Sequence, residues 1–257
     1  MNLYQRVKSI SEISYEVIDK FGEIVKGEKK RESAFDYDKL ILLNPEGNVV
    51  EKSLFESNGN LKEKILYKYD SKGYLIEQQM LKSDGNLNIK ISYENNEKGN
   101  PTSEDWYNVD GSLKSKNVYK YDEAGNKIES NWYNADGSLF IKNVSVYDGK
   151  GNEISTDDYN STGILTSKSI FQHDENGNET ERKYNVFETK MMLNFNSSYD
   201  NKNNKIQETR SENNVVYYNY TFKYIYDVNN NWISKIAFQN GVLPKFIIER
   251  KIEYYEK

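Results

Sequence analysis

One histidine, no cysteine and 40 carboxylates are what this chain of 257 residues can bring to chemistry. A Ser-His-Asp or Cys-His site would have to assemble around His173 alone, and no nucleophile-elbow sequence accompanies it. His173 also stands where Tyr69, Tyr121, Tyr147 and Tyr199 recur, so it reads as a variant of a structural residue. Carboxyl pairs at glycosidase separations always exist among so many acids, but most of these acids recur with a fixed period, which marks them as turn or ladder residues. Asp174, Asn176 and Asn178 alternate oxygens as a Ca²⁺ loop does. Their Gly177 comes at the fourth position rather than the sixth, and no bidentate Glu follows at the twelfth. The Gly-Asn pairs lie between strands, not at strand-to-helix junctions, so they do not cradle phosphate. The expectation is a non-enzyme with no cofactor and no metal.

Binding chemistry is better represented. Trp106-Tyr107 and Trp132-Tyr133 are adjacent aromatic pairs one period apart, and Tyr159 continues the series. Neighbouring residues on a strand point to opposite faces, so one ring of each pair is expected to be exposed. A row of such rings at Trp106, Tyr107, Trp132, Tyr133 and Tyr159 would stack on sugars or dock a protein, while the same rings would also serve cross-strand packing. The expected partner is a glycan or a protein. Nucleic acid is not expected: the net charge is −5, the two signs are interspersed, and Gly27 and Glu28 interrupt the densest basic stretch, Lys26 to Arg31. No run approaches the roughly 18 apolar residues of a membrane span. With Met1 as the native start the expected compartment is the cytoplasm, and with a removed leader it is the cell surface or beyond.

These rings sit on a repeat. An Asp or Asn followed three residues later by Gly or Asn starts at Asp19, Asn44, Asp70, Asn96, Asp122, Asp148, Asp174, Asp200 and Asp227, and most of the intervals are 26 residues. A second turn is locked to the first, at Gly59, Gly85, Gly111, Gly137 and Gly163. Between turns the chain is rich in β-branched and aromatic residues, as in Leu113 to Tyr121 and Lys127 to Tyr133. Asp and Asn side chains accept backbone N–H bonds two residues on, and Gly supplies positive φ. Connections this short force antiparallel neighbours.

The fold expected is therefore all-β: about nine tandem antiparallel β-hairpin units of 26 residues, forming a long meander that coils into a spiral or incomplete barrel. One repeat domain spans 1–257, with a degenerate cap over 1–40, regular repeats over 41–180, and degenerate repeats with a C-terminal cap over 181–257. Leu113, Tyr119 and Tyr121 share one face of their strand; Lys116, Val118 and Lys120 share the other. Repeat-locked Lys at 64, 90, 116, 142 and 168, and Glu at 51, 77, 129 and 181, predict cross-strand ion-pair ladders. Charged termini, including Lys29 to Glu32, would discourage edge-to-edge association.

At Tyr119-Lys120-Tyr121-Asp122 with Gly125-Asn126, and at Tyr67-Lys68-Tyr69-Asp70 with Gly73, the chain resembles the Tyr-Asp (YD) repeats of Rhs-type bacterial proteins. Weaker forms are Val146-Tyr147-Asp148 with Gly151-Asn152, Phe171 to Asp174 with Gly177-Asn178, and Tyr224 to Asp227. The resemblance implies a coiled β-hairpin array, often extracellular, associated with carbohydrate binding or with a shell around a toxic domain. The unit here is longer and more regular than the usual one, and no non-repeat C-terminal domain follows it. The expected function is a non-catalytic repeat module binding a glycan, cell-surface component or protein through an extended β surface. The alternatives are a structural spacer or shell fragment of a bacterial surface or toxin system, and an intracellular antitoxin or immunity-like protein.

Overall fold

The computed structural model describes residues 6–29 and 38–256, so Lys30, Arg31 and Glu32 of the charged N-terminal stretch lie outside the described residues. Nineteen strands follow one another in the chain: β1 (Val7–Lys20), β2 (Glu23–Lys29), β3 (Asp38–Leu43), β4 (Val49–Phe55), β5 (Leu61–Tyr69), β6 (Leu75–Lys82), β7 (Leu87–Asn95), β8 (Pro101–Tyr107), β9 (Leu113–Tyr121) and β10 (Lys127–Asn134). They continue with β11 (Leu139–Tyr147), β12 (Glu153–Asn160), β13 (Leu165–His173), β14 (Glu179–Val186), β15 (Met191–Tyr199), β16 (Lys205–Glu212), β17 (Val215–Tyr226), β18 (Trp232–Gln239) and β19 (Leu243–Tyr254).

The turn residues do what their chemistry predicts, and more. In the first turn of the units one Asp or Asn side-chain oxygen organises five residues, as at Asp70 and Asn96. Asp70 Oδ1 accepts the N–H of Lys72 at 2.9 Å and of Tyr74 at 2.8 Å. At Asp122 and Asp148 the other oxygen takes the side-chain amide of Asn126 and Asn152, each at 2.9 Å. Those amide bonds, with the backbone N–H of the same Asn, hold the carboxyls of Asp122 and Asp148 below their ordinary range. The glycine of this turn is left-handed, with φ 94° at Gly125, a value that a Cβ makes costly. Asn203 and Asn230 fill the same position at φ 60° and 61°, Asn being the side-chain-bearing residue most at ease there.

The tyrosine before that Asp has a separate task. Its hydroxyl donates to a backbone carbonyl twenty residues earlier, at the start of the preceding unit's return strand: Tyr69 to Val49 and Tyr121 to Pro101 at 2.7 Å, Tyr147 to Lys127 at 3.0 Å, Tyr199 to Glu179 at 2.9 Å. The Tyr-Asp signature is thus a turn-maker beside a clamp onto the neighbouring repeat. His173 stands in the clamp position without a phenol.

Two compact units are distinguished, Met1–Ile89 with Tyr220–Lys257, and Lys90–Asn219. In the second, consecutive strands from β8 to β16 pair antiparallel, and the end of β7 pairs with β8. A bulge recurs beside nearly every turn, for example between Trp132 and Tyr133 on β10. Each bulge sharpens the local twist and bend of the sheet.

The first unit holds the departure from the repeat. Before its Asp19 turn β1 carries no unit motif, yet it hydrogen-bonds with β19 along one edge, from Val7 opposite Tyr254 to Glu16 opposite Phe246, and with β3 along the other, from Ser9 opposite Leu42 to Glu12 opposite Lys39. The end of the array therefore has no free edge at this seam. The all-β antiparallel hairpin meander expected from the sequence is present, and within this unit β1 joins β3 to β19, strands from opposite ends of the chain. An unpaired edge exposes a row of N–H and C=O groups, and the inserted strand satisfies both rows. β2 is a hairpin partner of β1 only over Tyr15 to Lys20, and Lys26 on it bonds Glu249 at 2.7 Å.

The seam is also where burial is deepest. Val7, Ile10, Ile41 and Leu43 form an apolar cluster, with Val49, Ile252 and Tyr254 packed against it. Beside them Glu12, only 7% exposed, meets Arg250 of β19 at 2.6 Å and Lys39 of β3 at 2.7 Å. The Arg250 guanidinium lies 3.3 Å from the centroid of the Trp232 ring.

Candidate functional site

Alternation along β8 and β10 sorts the five sequence-predicted rings onto two faces. Trp106 and Trp132 flank β9, opposite Ser115 and Asn117 respectively, and share one face. Their ring centroids are 6.1 Å apart with planes inclined by 28°. Trp132 is 38% exposed, which leaves part of the pair open to solvent.

Tyr107, Tyr133 and Tyr159 lie on the opposite face, each across from a lysine: Lys90, Lys116 and Lys142. The single aromatic row expected from the sequence is thus divided, because the period of two separates every Trp from the Tyr beside it. The Lys90 ammonium sits 5.2 Å from the Tyr107 ring centroid. Tyr159 lines a hollow of about 300 Å³ with Leu139, Lys142, Val144, Asn160 and Gly163.

The tyrosine face is also the charged one. Glu51 pairs with Lys64 at 2.9 Å, and Glu129 pairs with Lys120 at 2.7 Å and Lys142 at 2.9 Å. Bonds from these two ammonium groups and from the Asn131 amide hold the Glu129 carboxyl down at about 2. The ladder expected from repeat-locked Lys and Glu is present at these positions. It also recruits Asp105 to Lys116 at 3.1 Å and Asp157 to Lys168 at 2.8 Å, acids at a second site in the unit.

The Trp face instead carries hydrogen-bonding groups around the two indoles. Glu104 lies two residues before Trp106 on the same strand, and its Oε2 accepts the Trp106 Nε1–H at 3.4 Å. Burial, and then the Glu104 carboxylate beside it, push the Tyr119 phenol well above the usual tyrosine range. Asn117 Oδ1 accepts the Ser130 hydroxyl at 2.9 Å. Sequence reading passed over Glu104. The available signal was its break with the repeat, since Gln78, Ser130 and Thr156 occupy the equivalent places.

Among the described residues, no three His, Asp or Glu side chains gather as a metal-ligand set. No helix there is long and apolar enough to cross a membrane.

These features define an all-β antiparallel hairpin array. No family model matches the chain, and no curated protein matches it. Among solved structures it is similar to a porin-like protein from Bacteroides uniformis, at 10% identity over 96% of each chain with a TM-score of 0.47. A porin-like protein from Bacteroides vulgatus is similar at 10% identity, 95% of this chain and 100% of that one, TM-score 0.39. The structure of TcdB2-TccC3-Cdc42 is similar at 13% identity over 90% of this chain and 16% of that one, TM-score 0.35.

Proposed function

We propose that the chain is a non-catalytic YD-like repeat module that binds a glycan on the face bearing Trp106 and Trp132. The observation that carries this reading is the paired indoles, partly open to solvent, with a carboxylate, amides and hydroxyls beside them. Sugar rings present C–H faces that stack on indole and hydroxyls that need directional partners, and this face offers both. The tyrosine face suits the role less, because its charges already pair with one another.

Calorimetric titration with neutral oligosaccharides, run on the wild type and on W106A, W132A and Y133A, tests the proposal. Saturable binding lost in either Trp variant and kept in Y133A supports it. Equal losses in all three, or no binding to any oligosaccharide, refute it.

A further inference from the structure

We propose that the Trp face selects glycans bearing protonated amines, and that Glu104 is the selecting residue; this deepens the glycan-binding reading and rests on it. Three observations converge on a cationic group. Glu104 has no ion-pair partner among the described residues, in contrast to Glu51, Asp105, Glu129 and Asp157 on the other face, which all pair with lysines. Its carboxylate accepts the Trp106 indole N–H at 3.4 Å, with the half-buried Tyr119 phenol beside it, which leaves acceptor capacity for a further donor.

Aromatic rings surround it: Trp106, Tyr119, and Tyr93, which lies directly across from Glu104 on β7. A carboxylate bordered by aromatic faces is the chemistry that recognises ammonium groups, by charge and by the ring quadrupole together.

The protein already shows this preference in its own side chains. Lys127 places its ammonium 4.8 Å from the Tyr119 ring centroid. The strand lysines nearest the pair, Lys116 and Lys120, are directed to the opposite face, where Asp105 and Glu129 hold them. A uronic acid would meet an unpaired carboxylate beside the indoles, a repulsive contact. A glucosamine unit would stack on Trp106 or Trp132 and bring its amine to Glu104.

The test uses the full chain at pH 6 and low salt, with three hexasaccharides as probes: β-1,4-linked glucosamine, its N-acetylated counterpart, and oligogalacturonate. The amine hexamer is expected to bind about tenfold more tightly than the acetylated one. E104Q should remove that difference while keeping the affinity for the acetylated hexamer. E123Q, at an exposed turn, controls for general attraction of a cation to an acidic protein and should change nothing. Thermal melting of E104Q checks that the fold survives, and E104D should retain part of the preference.

Equal binding of both hexamers by the wild type, or a preference for oligogalacturonate, overturns the selection by Glu104 and leaves the Trp platform standing. A preference that persists in E104Q overturns the role of Glu104. Absence of binding to all three probes overturns the platform itself.

Discussion

Glu12 should be worth more to this fold than any other ion-paired carboxylate it contains. It lies on β1, which pairs with both β19 and β3, is 7% exposed, and bridges Arg250 on one neighbouring strand and Lys39 on the other. Replacing it with Gln keeps the shape and removes the charge, which leaves Arg250 buried against Trp232 without its anion. Breaking a buried pair by removing one partner costs about 3–5 kcal/mol. In a chain of this size each kcal/mol shifts Tm by about 2–4 °C, so E12Q should melt roughly 10 °C lower. The comparison is E51Q, which removes half of the more exposed Glu51–Lys64 pair and should cost less than about 1 kcal/mol. The sign with pH follows from the same contacts. Burial alone would push the Glu12 carboxyl up, but Arg250 and Lys39 outweigh it and hold it below its ordinary value. A lowered folded-state pKa means stability that is full above the unfolded carboxyl range and lost as pH falls through the folded value. Differential scanning calorimetry of wild type and E12Q between pH 3 and pH 7 should therefore show the two converging in acid. If E12Q melts no lower than E51Q at pH 7, the seam is not held by this cluster and the reasoning fails.

Other outcomes follow from the repeat chemistry. Y121F deletes the hydroxyl that clamps the Pro101 carbonyl and should cost about 1 kcal/mol by denaturant titration. H173Y should restore a clamp where the repeat lacks one and add up to about 1 kcal/mol; a loss of stability would count against the clamp. G125A, at φ 94°, should destabilise by about 1–2 kcal/mol, whereas N203G, at φ 60° in the equivalent turn position, should be neutral to slightly stabilising.

How legible this was depends on how local each interaction is. The Asp-x-x-Gly-Asn turn could be read directly, because one carboxylate and its donors lie within five residues, as at Asp122 and Asn126. Strand faces were legible too, since the period of two needs only the residues themselves, and the Lys120–Glu129–Lys142 ladder followed from it. The tyrosine clamp was not, because its acceptor is a backbone carbonyl in another unit and leaves no mark on residue type. The pairing of β1 with β19 was hidden for the same reason: Glu12 and Arg250 are separated by nearly the whole chain, and β1 carries nothing of the unit motif before its Asp19 turn. At the candidate site the Trp residues stood out by type, but their stacking across β9 needed the register, and Glu104 was visible only as a break in the repeat.

The most direct measurement uses the fact that the chain has 3 tryptophans, two of them the stacked pair and the third Trp232. In a W232F variant, emission comes from Trp106 and Trp132 alone, and titration with the glucosamine hexamer or its N-acetylated counterpart should give a saturable shift that W132A abolishes. An unchanged spectrum through saturating concentrations of both hexamers would contradict a glycan site on this face.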